Sequence, residues 1–267
     1  MLKINPETKL PYNFIKGSVA QRTQKVRLLN KGVYNKICSC NAPLTKEVLE
    51  DAISNNLMDL TQYRKGIIKV KPKTIAELPV AGARAYAGAD IDTDLNISCY
   101  TINVPFNKDG ILTDLSAFMH ELTHVHQELL EPKVITRDLA VFNQELNQKS
   151  LLNCVSVIQF FYKYLYKTKP LVPNGTDCHF PKTLAGIDWK FRTRHKKSED
   201  KINILQFYRY KLNQEKLAYE EQIRYTKGVN EEIIEKAFNM IDKQLGLSKA
   251  QEFVENKLKK ELKKARK

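Results

Sequence analysis

Apolar and polar positions alternate along the chain in two rhythms, one helical and one strand-like. Thr45 to Leu60 reads as a short helix, with Thr45 as its N-cap and Glu47, Glu50 and Asp51 in the early turns. Ile67 to Val70 reads as a short strand. Arg84 to Tyr86 and Ile97 to Val104 are strand-like and flank the turn-rich Asp90–Asn96, which predicts a β-hairpin. The loop Phe106–Gly110 leads into a helix from Thr113 to Leu130, stopped by Pro132. A long helical region follows over Arg137–Lys167, then a loop-like stretch over 168–200 punctuated by Pro170, Pro173, Gly175, Pro181 and Gly186. Three helices complete the chain, over Lys201–Lys227, Asn230–Gly246 and Ser248 to the end. Residues 1–45 are broken by Pro6, Pro11 and Pro43 and read as irregular. The class is α+β, a small sheet followed mostly by helices.

The helix from Thr113 to Leu130 carries the informative pattern, His120-Glu121-Leu-Thr-His124, an HExxH motif. With His120 at zero and about 100° per residue, His124 falls near ~40° and Glu121 near ~100°. Phe118, Leu122, Val125 and Leu129 gather between about 140° and 200°. One face is therefore an apolar stripe, and the other shows two imidazoles and a carboxylate to a cleft. Histidines one turn apart reach a single tetrahedral Zn²⁺, and Glu121 beside them is placed to take a proton from a zinc-activated water. His126 falls near ~240°, away from the pair, and reads as a boundary histidine. Leu130 stands where the extended zincin pattern would have a third histidine.

A third ligand is sought among acids lying in a buried stripe. In the Lys201–Lys227 helix the row Leu205, Tyr208, Leu212, Glu215, Tyr219, Gln222 follows steps of three and four, and Glu215 interrupts it. A carboxylate there is costly unless paired or metal-bound. Glu220 and Glu221 point about 140° and 240° away and read as solvated. His179, in a loop, and Glu145, in a neighbouring helix, are the competing candidates.

Charge adds a second theme. The chain of 267 residues carries 44 Lys+Arg against 30 Asp+Glu, a net of +14. The surplus gathers in the first fifty residues, around Trp189–His195 (Lys190, Arg192, Arg194, extended by Lys196 and Lys197), and in Lys257–Lys267. It points to nucleic acid or an acidic partner held through the basic termini. The HExxH helix itself contains no Lys or Arg. Five cysteines do not pair evenly, and Cys38-Ser-Cys40 is too tight for a zinc knuckle, so free thiols in a reducing compartment are expected. MLKINPETKL lacks the apolar run of a signal peptide, and Leu151–Tyr166 is interrupted by Asn153, Gln159 and Lys163. No transmembrane segment is expected. Cytoplasmic synthesis is the default localisation, with association with a virion as its alternative.

Phe118-Met-His-Glu-Leu-Thr-His-Val125 resembles the active-site helix of the zincin metallopeptidases, and Glu215-Lys-Leu-Ala-Tyr219 is similar to the second ligand helix of their gluzincin branch. The resemblance implies a zincin-like α+β domain spanning 1–267. Its parts would be a basic helical N-terminal extension (1–65), a small antiparallel or mixed sheet with the HExxH helix (66–130), a helical half holding the third ligand (131–246) and a basic C-terminal helix (247–267). It implies Zn²⁺ held by His120, His124 and Glu215, with Glu121 as general base. It also implies an extended peptide substrate lying along an edge strand, assigned to Ile97–Val104, and an oxyanion stabiliser among Tyr219, Tyr208 and His179. Tyr219 departs from the acidic or amide residue that often supports a ligand histidine at its position. The expected function is zinc-dependent hydrolysis of peptide bonds in a protein or peptide substrate. The alternative is a basic virion, phage or nucleic-acid-associated assembly protein that keeps a zincin-like fold.

Overall fold

The structure is a computed structural model and describes residues 19–61, 68–74, 85–91, 97–130, 197–226 and 229–265. The helix expected over Arg137–Lys167, most of the stretch 168–200, and the candidates His179 and Glu145 lie outside the described residues. The fold is mixed α+β and mostly helical, with a small three-stranded mixed sheet. The chain divides into two compact units, one formed by residues 1–138 with 217–230 and the other by 139–216 with 231–267.

The first unit begins with helix α1 (Val19–Ser39), within the stretch read from sequence as irregular. Val26, Leu29, Val33 and Ile37 repeat at steps of three and four, and all are buried. Their burial against the rest of the unit holds a Lys- and Arg-rich segment in helical form. Helix α2 (Lys46–Thr61) starts as expected, with the Val48 amide donating to Thr45 Oγ1 at 3.5 Å. It packs on α1 through Leu49, Ala52 and Ile53. The two helices approach closely at Gly32, where Asn56 lies against the bare Cα and donates Nδ2 to Leu29 O at 2.9 Å.

Strands β1 (Ile68–Lys73), β2 (Tyr86–Ile91) and β3 (Ile97–Pro105) form a sheet in the order β1-β3-β2. β1 runs parallel to β3, with Val70 opposite Ile102, and β2 antiparallel to it, with Ala87 opposite Ile102. β2 and β3 pair antiparallel as expected, with the first strand at Tyr86–Ile91 rather than Arg84–Tyr86, but the second strand is not the edge. β3 lies in the centre, and Cys99 through Val104 are all buried, as befits a strand covered on both faces. The long-range parallel pairing with β1 makes it so, and β2 becomes the edge. Each edge meets a glutamate: Val70 N donates to Glu50 Oε1 at 2.8 Å, and Ala87 N donates to Glu121 Oε2 at 2.7 Å.

A tight turn carries β3 into helix α3 (Leu115–Leu130). Asn107 Oδ1 accepts from the amides of Asp109 and Ile111, and Gly110 takes the left-handed conformation at φ 72°. Thr113 bonds back to Pro105 O through both N and Oγ1. Asp114 Oδ1 then caps α3 by accepting from Ala117 N at 3.0 Å. Phe118, Leu122, Val125 and Leu129 all point into the core, as the helical wheel requires. The start of α3 is thus bonded to the end of the central strand.

Helix α4 (Ser198–Arg224) is unbroken and runs from the second unit into the first. In the second unit it lies antiparallel to helix α6 (Leu247–Ala265). The pairs Ser198–Glu261, Arg209–Glu255, Asn213–Gln251 and Lys216–Ser248 descend along α6 as α4 ascends. Leu205, Tyr208 and Leu212 on α4 and Ala250, Val254 and Leu258 on α6 are buried. Helix α5 (Glu231–Leu245) reaches α6 through Gly246, whose positive φ of 71° closes the helix while Asp242 Oδ1 accepts from Ser248 N. No described helix is long and apolar enough to cross a membrane.

Candidate metal centre

α3 presents His120 and His124 one turn apart, as the spacing requires. Their Nε2 atoms face each other at 3.2 Å. Ligand atoms about 2.0–2.1 Å from a tetrahedral zinc stand about 3.3 Å apart, so the pair already has the spacing of two ligands of one ion.

Glu215 joins them. It is buried, at 6% exposure, in the apolar row of α4, and it lies two residues before that helix enters the first unit. Among the described residues, His120, His124 and Glu215 form a group whose ligand atoms all lie within 4.8 Å of one another. The donor set, two imidazoles and one carboxylate, is one that could hold a metal ion.

Glu121 sits on the neighbouring side of the helix, partly exposed, with Oε2 held by the amide of Ala87. Among the described residues, the side of β2 away from β3 meets the HExxH helix at this bond. Tyr219, one turn after Glu215, sets its ring edge-on to His120 with centroids 4.6 Å apart. Tyr208 is fully buried in the second unit.

Behind the histidines lies a buried polar cluster that the sequence reading missed. His126, expected at a boundary, is fully buried, and its Nδ1 lies 2.7 Å from Asn30 Oδ1 on α1. Burial lowers its pKa from 6.5 to about 3, so it is neutral at ordinary pH. Glu221, expected in solvent, is also fully buried. It accepts from Asn30 Nδ2 at 3.1 Å and pairs with Arg224 at 3.2 Å and Arg27 at 3.5 Å. Burial raises its pKa, and Asn30 and the two arginines work against that rise. Glu220 is half-buried and ion-paired to Arg27 at 2.6 Å. Both misplacements have one cause. The faces that carry His126 and Glu221 are covered by α1, a distant segment that the helical wheel of their own helices does not show. The spacing of Val26, Leu29, Val33 and Ile37 was the available signal.

No protein-family model, curated protein or solved structure matches the chain.

Proposed function

We propose that the protein is a zinc-dependent metallopeptidase of zincin type, related in arrangement to the gluzincin branch. The observation that carries this reading is the pair of Nε2 atoms at 3.2 Å with the buried Glu215 carboxylate beside them. His120, His124 and Glu215 would hold the ion. Zinc, when bound, supplies Lewis-acid chemistry, acidifying a water and polarising a peptide carbonyl. Glu121 Oε2 is committed to Ala87, so Oε1 takes the proton from the attacking water and returns it to the leaving amine. β2, an edge strand among the described residues, rather than Ile97–Val104, receives the substrate as an added strand. Tyr219, against His120, is the described candidate for stabilising the developing oxyanion.

The test is hydrolysis of an unfolded protein substrate by wild type and by Glu121→Gln. Glutamine keeps an oxygen for Ala87 N but cannot accept the proton. The variant should retain metal and fold while losing roughly 10²–10⁴-fold in rate. Equal rates in the two proteins would remove Glu121 from the chemistry.

A second reading has separate support. α6 ends in exposed Lys259, Lys260, Lys263 and Lys264, a basic face suited to nucleic acid or another acidic partner. Retention on immobilised nucleic acid that falls steeply with salt, and is lost when these four lysines become alanine, would favour it. Elution at low salt would count against it.

A further inference from the structure

The cluster behind the histidines converges on one side chain. Asn30 is fully buried on α1 and uses both ends of its amide. Nδ2 donates to Thr123 Oγ1 at 2.9 Å and to Glu221 Oε2 at 3.1 Å, and Oδ1 meets His126 Nδ1 at 2.7 Å. The orientation is determined by the neighbours. Thr123 Oγ1 gives its own proton to Met119 O at 2.7 Å, so towards Asn30 it can only accept. The NH₂ end therefore faces Thr123 and Glu221, the oxygen faces His126, and His126 carries its proton on Nδ1.

The partners sit on the turns that build the candidate centre. Thr123 lies between His120 and His124, and His126 is two residues beyond. Glu221 is two residues after Tyr219 and six after Glu215, in the part of α4 that belongs to the first unit. One amide thus holds the rotation of α3 and the rotation of α4 about their axes. Apolar packing does this poorly, because a slide or roll of a few tenths of an ångström costs little in dispersion, whereas a three-way hydrogen bond between buried groups has one geometry.

We propose that Asn30 is a positioning residue for the metal centre, setting the two histidines against Tyr219 and Glu215 through Thr123 and Glu221. The inference rests on the metallopeptidase reading only as far as metal binding. Outer residues that orient metal ligands are worth about 10–100-fold in metal affinity, and a loss of that order is the effect expected on removing Asn30.

The experiment measures Zn²⁺ affinity by competition with a chromogenic chelator, and the visible spectrum of the Co²⁺ form, in the full chain. Asn30→Ala is compared with Asn56→Ala, which removes a buried α1 bond of similar kind away from α3 and α4. Both should lower the urea midpoint. Only Asn30→Ala should weaken Zn²⁺ binding by about 10–100-fold and alter the Co²⁺ bands. Thr123→Val, which keeps shape and loses the anchor on α3, should do the same in part and serves if Asn30→Ala does not fold. Glu221→Gln, which keeps an oxygen for Asn30, should stay near wild type in affinity. Unchanged affinity and spectrum in Asn30→Ala or Thr123→Val, with stability lost, would reduce Asn30 to a fold-stabilising residue. A wild-type chain that binds neither metal would overturn the metal reading itself, and this inference with it.

Discussion

Gly32→Ala should destabilise the protein, although the same change in an exposed helix stabilises by up to about 1 kcal/mol. Gly32 lies mid-helix in α1, where alanine has the better propensity. An alanine Cβ there would overlap the Asn56 amide oxygen outright and stand 2.7 Å from its Cγ. Asn56 is itself buried and donates to Leu29 O at 2.9 Å, so it has no free direction in which to retreat. Either the amide leaves its bond, at about 1–3 kcal/mol for a buried polar group unsatisfied, or the helices separate, at a similar overpacking cost. Set against the propensity gain, the net loss is about 1–3 kcal/mol. Urea unfolding should show a lower midpoint. Gly32→Ala/Asn56→Ala should recover part of the loss, because the Cβ then enters vacated space, and a double-mutant cycle should return a favourable coupling. A Gly32→Ala protein as stable as wild type, or more so, would refute the close α1–α2 approach.

Other expectations concern the back and the edge of the site. Because burial holds His126 at a pKa of about 3 against an ordinary 6.5, the folded state takes up its proton later than the unfolded one. Its contribution is complete above about pH 6.5 and is lost as pH falls towards 3, by at most about 5 kcal/mol, and His126→Gln should flatten the stability–pH slope over that window. Glu221, with its pKa raised mainly by burial, works in the opposite sense. Its contribution is present below the ordinary carboxylate range and declines as pH rises through the raised value, so Glu221→Gln should remove that decline. Ala87→Pro deletes the amide that donates to Glu121 and leaves the β3 side of the edge strand paired. It should keep the metal and lower turnover on a protein substrate, and an undiminished rate would show that the base needs no such anchor.

How far the sequence revealed this arrangement depended on whether a feature was local. α3 was legible because its two faces are encoded within eighteen residues, and its capping aspartate and preceding turn are encoded beside it. Glu215 was legible because an acid in an apolar row has few explanations, and it is buried in the structure beside the two histidines. The edge strand was not. Local alternation shows that Ile97–Val104 is a strand, but its central position comes from parallel pairing with β1 across an intervening hairpin strand. The buried polar cluster was hidden for a related reason. A helical wheel shows which residues share a face, and not which distant segment covers it. Once α1 is recognised, the faces carrying His126 and Glu221 become interior, and Asn30 becomes the residue that bonds to both.

The central claim is that His120, His124 and Glu215 form one metal site. Its most direct measurement is the metal content of the purified full chain, by elemental mass spectrometry, after dialysis against zinc-containing buffer and then metal-free buffer. Wild type should retain about one zinc per chain, Glu121→Gln the same, Glu215→Ala much less, and His120→Ala/His124→Ala none. No bound zinc in wild type, or zinc unchanged by loss of both histidines, would contradict the account.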